Sequence, residues 1–532
     1  MILDAQQLFL MFHKLIGGTP LCYMLHLKGD VDLQRLECSL NDVIASQPGL
    51  LLSFDPLPQT AVSLGVQRVS WAQRPWVSIQ FVDKSDSFDE DQCLSLYHDL
   101  LNRKTVLTEW PLLKLKLVKT GAEKYVLFLS IEHTISNGLS SLQFLDLLLS
   151  HYAQSTPINH YSVDDYCSTV ARINEHQPAS SAMQASSALL KNIGKAAYVW
   201  NPEKKTRSSF VPLMRTLSYK LSIAHTQQAV KTAEKLRVSL YTLIICAYLN
   251  VFFRLPEAED RIVFTLPTGG KVYPEVDASA LIGCFAQALT LSFTKDYVLL
   301  SLEQRLRFIH QSLQEALRAE FDHIQSQKTA KSICKDFVIT NGELDPFFKT
   351  LFRHSMKSNV YISYTGYSPL KCDYGSCKVE EYLEGTFNNA GVADFMHSIF
   401  DNQFHFFANY DEAFFSKQCI EQVLELLVSE FHNIIAVDST VSELVPSSLG
   451  TIEPSIMGYL SQTFSSLFNT RLSEDSFSQD LEGKLGIDSL GRIRLITKII
   501  RDYGSVVHQD DIFDCRSLLE LGLALSKKLA GI

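Results

Sequence analysis

A histidine lies between two apolar segments in the stretch KYVLFLSIEHTISNGLSSLQFLDLLL, which contains His133. The run before His133 is too short and too uniformly apolar for an exposed helix, so it predicts a strand buried on both faces. After Gly138, Leu142, Leu145 and Leu149 recur at helical spacing. A side chain at such a strand-to-helix crossover can point into a cleft. A neutral imidazole there can accept a proton near pH 7, so His133 is a candidate catalytic base.

A serine near the other end of the chain, Ser489 in LGIDSLGRIRLITKII, marks a second candidate site. Ile493, Ile496 and Ile500 follow at helical spacing, so Ser489 is predicted to begin a helix. A phosphate ester on this serine would be stabilised by the unpaired N–H groups and the dipole of the helix N-terminus. The alternative is that Ser489 only caps the helix after Asp488, which implies no modification.

Strands and helices alternate along most of the chain, which predicts an α/β or α+β fold. DRIVFTLP and FHFFANYD are predicted strands, and Ser416 is the expected N-cap of a helix whose inward stripe runs from Ile420 to Ile434. The run from Val238 to Phe253 is uncharged and has sixteen residues. Because a bilayer span needs about twenty residues, this run is predicted to be a buried core helix.

The composition of the chain changes near residue 436. The stretch AVDSTVSELVPSSLGTIEPS is rich in Ser and Thr, contains two prolines and shows no sustained period, so it is predicted to be a linker. We expect a large region at 1–440, a linker at 441–454 and a small helical module at 455–532.

Charge and cysteine usage exclude several classes of protein. The net charge is −10 and the pI about 5.9, which argues against nucleic acid as the main partner. The 11 cysteines are scattered, and the pair Cys372 and Cys377 lacks the spacing of a zinc or redox motif. The N-terminal stretch carries Asp4 and no early basic cluster, unlike a signal peptide. We therefore expect a cytoplasmic protein with reduced thiols, no metal site and no membrane partner.

The sequence around Ser489 resembles the Gly-x-Asp-Ser-Leu signature of acyl and peptidyl carrier proteins. A second helical segment, DIFDCRSLLELGLALSKKL, follows where that family has one. The resemblance implies that Ser489 is esterified by 4′-phosphopantetheine, whose thiol carries acyl groups as thioesters. It also implies a phosphopantetheinyl transferase as a partner.

The large region resembles the condensation domains of nonribosomal peptide synthesis in three blocks that occur in the family's order. The opening pattern appears in LDAQQLFLMFHKL and LKGDVDLQRLECSLNDVIASQPGLLLSF. The His-His-x-x-x-Asp-Gly motif aligns with residues 132–138, and TLPTGGKVYPEVDASALIGCFAQALTL matches the family's C-lobe segment. The resemblance implies a two-lobed chloramphenicol-acetyltransferase-like fold, with an N-lobe at about 1–175 and a C-lobe at about 176–440.

Four positions depart from the family pattern: Glu132 replaces the first histidine, Asn137 the aspartate, Lys271 the arginine and Gln287 the asparagine. Side chains alternate along a strand, so we expect Glu132 to face away from the cavity. In the family the aspartate pairs with the arginine; Asn137 and Lys271 could keep only a weaker, less directional hydrogen bond. Asn137 could also simply cap the following helix.

The retained residues His133 and Gly138 favour an active enzyme, in which the resemblance assigns the catalytic role to His133. We expect an acyltransferase that joins a carrier-bound thioester to an amine or alcohol, with the fused carrier presenting a substrate or product. The chain has no P-loop and no Gly-x-Ser-x-Gly motif, so a separate activating enzyme should load the carriers that deliver acyl thioesters.

Two other readings of the large region remain. A catalytically degenerate domain could act only as a docking module for carrier proteins. Epimerisation of a carrier-bound aminoacyl group shares the histidine motif but needs a second acid or base across the α-carbon. No counterpart in the C-lobe stands out from the sequence, so epimerisation ranks last.

Overall fold

A computed structural model describes most of the chain. The described residues are 18–55, 69–72, 76–85, 89–154, 157–178, 180–193, 213–255, 260–270, 272–273, 276–320, 322–324, 360–386, 393–436, 454–468, 472–479, 502–503 and 517–529, with isolated positions between 3 and 13 and between 481 and 515. Lys271, Ser489 and the predicted linker at 441–454 lie outside them.

The strands follow one another in chain order as β1 (Pro20–Gly29), β2 (Leu52–Phe54), β3 (Val69–Trp71), β4 (Gln80–Asp83), β5 (Leu113–Gly121), β6 (Lys124–Glu132), β7 (Met214–Lys220), β8 (Arg261–Thr268), β9 (Val272–Tyr273), β10 (Val276–Asp277), β11 (Gln287–Thr294), β12 (Val360–Tyr367), β13 (Cys377–Thr386), β14 (Asp394–Phe400) and β15 (Gln403–Asp411). Most of these strands belong to two large sheets. The first has the order β13-β1-β6-β5-β4 and the second β11-β8-β12-β14-β15-β7.

The helices are α1 (Leu33–Ser46), α2 (Glu90–Leu101), α3 (Gly138–Gln154), α4 (Val163–Glu175), α5 (Ser180–Ile193), α6 (Ile223–Leu236), α7 (Leu240–Phe252), α8 (Leu302–Arg318), α9 (Lys417–Ala436), α10 (Pro454–Phe468) and α11 (Leu518–Leu529). Asp or Ser side chains accept N–H bonds at the starts of α1, α2, α4, α6, α7 and α8. Such caps pair backbone donors that the helix itself leaves free.

The predicted elements around the core are confirmed. Every residue of α7 is buried, as expected for the uncharged run that contains it. The strand before His133 is β6, which is buried from its second residue to its last. In α9 the inward stripe from Ile420 to Ile434 is buried, and Ser416 Oγ accepts the N–H of Cys419 at 3.2 Å.

Each large sheet has its own apolar core, and two segments connect the halves. β13 comes from the part of the chain predicted as the C-lobe, yet it pairs antiparallel with β1 in the first sheet. The segment before β11, with Leu281, Ile282 and Phe285, packs in the core of the first half. The two halves therefore meet through shared backbone pairing and shared core.

The C-terminal part has a separate small core. Ile456, Leu460 and Phe464 of α10 are buried with Leu521 and Leu525 of α11. Ile496, one of the predicted inward positions after Ser489, is 1% exposed in this core. A helical carrier-like module is consistent with these contacts.

Among the described helices, no single one is long and apolar enough to cross a membrane. The pair α6 and α7 passes that test only when taken together, and a bend of 101° separates its members.

Candidate active site

His133 follows β6 directly and lines a cavity between the two halves of the large region. Its backbone N–H donates to the carbonyl oxygen of Thr19 at 3.0 Å, which anchors the start of the loop to the residue before β1. Burial lowers the pKa of the His133 imidazole to about 4, although ring hydrogen bonds to the backbone of His133 and Ser136 oppose the shift. The ring is therefore neutral at pH 7.

The cavity has a volume of about 110 Å³. Five lining residues come from the first half of the large region: Leu21, His133, Asn137, Gly138 and Leu139. The later half contributes others, which include Pro267, Thr268, Gly269, Ser363, Tyr364 and Asp394. A reactant in this space would contact both halves at once, and most of the wall is apolar, as is usual for ligand sites.

Asn137 caps α3, as its alternative interpretation predicts. Its Oδ1 accepts the N–H of Ser140 at 2.8 Å. Its Nδ2 is buried and has no hydrogen-bond partner among the described residues. Gly138 begins α3, and its carbonyl oxygen accepts the hydroxyl of Tyr23 at 3.2 Å. Lys271, the expected partner of Asn137, lies outside the described residues, so that hydrogen bond stays a prediction.

Glu132 lies on the opposite side of β6 from the cavity, as side-chain alternation predicts. It is 1% exposed, and its two carboxylate oxygens accept the N–H of Thr19 at 2.9 and 3.1 Å. Burial raises the pKa of Glu132 to about 7, while hydrogen bonds from Thr19 and Thr105 and the charge of Arg103 oppose the shift. Thr19 thus bonds to Glu132 through its N–H and to the backbone of His133 through its carbonyl.

Gln287 does not line the cavity, but it pairs in the sheet with Thr268, which does. Its Nε2 lies 3.0 Å from Nδ1 of His323, and it begins β11 next to the end of β8. Gly270 has a φ of +58°, and an added Cβ would lie 1.8 Å from the carbonyl oxygen of Phe285. Only glycine fits this close approach, which explains the glycine of the C-lobe block.

Three residues at or near the cavity were missed by sequence reasoning. Cys284 Sγ lies 3.8 Å from Nδ1 of His133, and burial raises the pKa of this thiol, so it remains protonated. Its position inside LIGCFAQ, part of the C-lobe block, was the sequence signal that could have identified it. Asp394 lines the cavity, and Glu384 lies on the strand that borders it. The sequence offered no acid or base in the C-lobe, whereas the structure brings Asp394 into the same cavity as His133.

No group of three or more metal-ligating side chains occurs within the part of the chain that the structure describes. The predicted cofactor site at Ser489 falls outside that part, so the geometry around this serine is not described.

Comparison with protein families gives two matches. Residues 1–444 match the condensation domain family, and residues 458–525 match the phosphopantetheine attachment site family. Gramicidin S synthase 2 of Aneurinibacillus migulanus is 22% identical over 407 residues, which is 75% of this chain and 8% of the synthase. Tyrocidine synthase 3 of Brevibacillus parabrevis is 23% identical over 358 residues, 65% of this chain and 5% of that synthase. The chain thus spans a small fraction of these relatives.

Solved structures share the fold. A cyclization-docking bidomain from Sorangium cellulosum aligns with a TM-score of 0.64 at 16% identity and covers 83% of this chain and 85% of its own. A second similar structure is the first condensation domain of the calcium-dependent antibiotic synthetase in complex with a substrate analogue. It aligns with a TM-score of 0.63 at 13% identity, and the alignment covers 84% of this chain and 99% of that chain. The epimerization domain from the third module of tyrocidine synthetase B aligns with a TM-score of 0.60 at 13% identity. The alignment covers 82% of this chain and 95% of that domain's chain.

The expected fold is therefore confirmed: a two-lobed condensation fold followed by a carrier region with helices. A phosphopantetheine group attached covalently to a serine of the carrier domain is likewise supported by the family match. The chain belongs to the condensation domain family of nonribosomal peptide synthesis and carries a phosphopantetheine attachment domain after it.

Proposed function

We propose that this chain is an acyltransferase of condensation type that joins a carrier-bound acyl thioester to an amine or alcohol nucleophile. The observation that carries the proposal is the position of the His133 imidazole in a cavity lined by both halves of the large region. Two substrates that enter from different sides can meet beside such a base, because the cavity belongs to neither half alone.

A single histidine that starts neutral can carry out both proton transfers of the reaction. As the nucleophile attacks the carbonyl carbon of the thioester, the imidazole of His133 accepts its proton. The tetrahedral intermediate then expels the thiolate, and the imidazolium returns the proton to that sulfur. The first step needs the unprotonated ring, which is the form that His133 has at neutral pH, and the second step uses the imidazolium that the first step produces.

The fused carrier at 455–532 supplies one of the two reactants, and we propose Ser489 as its modified serine. The phosphopantetheine thiol, when attached, holds an acyl group as a reactive thioester. We propose limits of 1–440 for the condensation domain and 441–454 for the linker. A phosphopantetheinyl transferase, a separate activating enzyme and donor carriers complete the system, which we propose to be cytoplasmic.

The test first identifies the acyl group that is attached to the carrier. The intact chain is incubated with coenzyme A, a phosphopantetheinyl transferase and a cell extract, and the adduct mass on Ser489 identifies the acyl group. Transfer from a loaded donor carrier to the acceptor on Ser489 is then measured by mass spectrometry. His133→Ala should lower turnover by about a hundredfold or more, the usual contribution of positioned acid-base help.

His151→Ala is the matched control, because His151 lies near the other end of α3 and pairs with Asp42 at 3.2 Å. This variant should keep wild-type turnover. Carrier binding should persist in both variants. Equal product from wild type and His133→Ala would refute the catalytic role and favour the docking module.

A further inference from the structure

Two buried carboxyl groups belong to the wall that β13 and β14 build beside the His133 cavity. Asp394, the first residue of β14, lines the cavity and is 9% exposed. Thr386, the last residue of β13, also lines it. Glu384 precedes Thr386 by two residues, so its side chain leaves the strand on the same face. Glu384 is 0% exposed.

The strand register locates Glu384 directly below the cavity. Thr386 is opposite Leu21 of β1, and both line the cavity. The next same-face pair is Glu384 opposite Tyr23, whose hydroxyl donates to the carbonyl oxygen of Gly138. Glu384 therefore lies one residue pair deeper along the same face as two lining residues.

Neither carboxyl group has a partner in the described part of the protein. Both oxygens of Glu384 lack a hydrogen bond, and no described lysine or arginine forms an ion pair with Glu384 or Asp394. Two of the nearby phenols bond elsewhere, whereas the buried hydroxyl of Tyr361, which is opposite Asp394 in the sheet, has no hydrogen-bond partner among the described residues. Tyr241 donates to the carbonyl oxygen of Ile362 at 2.6 Å. Tyr382 bonds to Ser398.

Burial raises the pKa of both groups, and the charge of Asp394 raises that of Glu384 further. A buried carboxylate without a partner is costly, and two neighbouring ones resist ionising together. A cation in the cavity would contact Asp394, which lines it, and would lower the electrostatic cost of ionising Glu384 behind it. An ammonium group also supplies three N–H donors to oxygens that have none.

We propose that Asp394 and Glu384 form an acidic subsite that binds the protonated amine of the acceptor substrate. This inference rests on the proposed function and names amines, rather than alcohols, as its nucleophiles. Asp394 takes one proton from the ammonium, which leaves a neutral amine whose lone pair attacks the thioester carbonyl carbon. The second proton passes to His133 and then to the leaving thiolate, while Asp394 returns its proton to water.

The experiment measures binding rather than turnover, so it is independent of catalysis. Two synthetic probes carry a glycyl or a glycolyl group on pantetheine through an amide that replaces the thioester. They differ only in an ammonium or a hydroxyl group. Calorimetry with the full chain should give roughly tenfold or greater preference for the ammonium probe.

Three variants make the result specific to the subsite. Asp394→Asn should reduce the preference to about twofold or less, and Glu384→Gln should reduce it in the same direction, since each removes one charge. Glu381→Gln is the matched control, because Glu381 lies exposed on the same strand and pairs with Lys220 at 3.2 Å. It should keep the full preference. Thermal melting checks that each variant is folded.

Equal affinity of wild type for the two probes would overturn the subsite. An undiminished preference in both folded variants, Asp394→Asn and Glu384→Gln, would also overturn it. His133→Ala should still prefer the ammonium probe, so failure of the catalytic proposal and failure of the subsite are separate results.

Discussion

The replacement of Glu132 by glutamine tests how this motif position is held. Glu132 is buried, and both of its oxygens accept the N–H of Thr19. Glutamine has nearly the same shape and keeps one acceptor for that N–H, but it cannot ionise. Alanine would be a poorer choice, because it would leave the Thr19 N–H unpaired in a buried site.

The sign of the effect follows from the raised pKa of Glu132, about 7 in the folded chain against an ordinary value of 4.5. The folded state binds the proton more tightly than the unfolded state, so ionisation lowers the free energy of unfolding as pH rises. The loss begins near pH 4.5 and is complete above about pH 7. At roughly 1.4 kcal/mol per pKa unit, the full loss is about 3 kcal/mol.

Glu132→Gln should therefore become more stable relative to wild type between pH 5 and pH 8, by roughly 2 to 3 kcal/mol. Urea unfolding followed by tryptophan fluorescence provides the measurement. Three of the four tryptophans, Trp71, Trp76 and Trp110, lie in the first half of the large region. Glu384 and Asp394 titrate in both proteins, so their effect cancels in the difference.

Parallel pH profiles for wild type and Glu132→Gln would show that Glu132 ionises normally, and the reasoning would be wrong. Glu381→Gln serves as the control, since Glu381 is exposed and pairs with Lys220 rather than with Thr19. Transfer activity of Glu132→Gln should fall far less than that of His133→Ala, because Glu132 faces away from the cavity.

Three further results are expected. Wild-type chain should gain the mass of phosphopantetheine with a competent transferase and Ser489→Ala should not; an unmodified wild type would count against Ser489. Asn137→Asp should keep the cap on Ser140 and restore the family's carboxylate as a partner for Lys271, so transfer activity should hold or rise; a tenfold drop in the same mass-spectrometric assay would contradict this. Cleavage of the chain near Ser448 should give two fragments that each unfold cooperatively in calorimetry; fragments without such transitions would move the proposed boundary.

Local patterns in the sequence determined much of this protein. The apolar run before His133 and the uncharged run in α7 predicted their buried elements, because burial of a strand or helix depends on residues close together in the chain. The motif around residues 132–138 and the Gly-x-Asp-Ser-Leu sequence identified the two families. The side on which Glu132 lies also followed from strand alternation alone.

Only the tertiary structure decided what surrounds His133. β13 joins the first sheet although it lies more than 200 residues after β1 and β6, and no local period encodes that pairing. In the segment VEEYLE, three glutamates look equally suited to solvent, yet Glu380 and Glu381 are exposed while Glu384 is fully buried. Its burial, and the approach of Asp394 and Cys284 to the cavity, arise because folding brings distant strands together there.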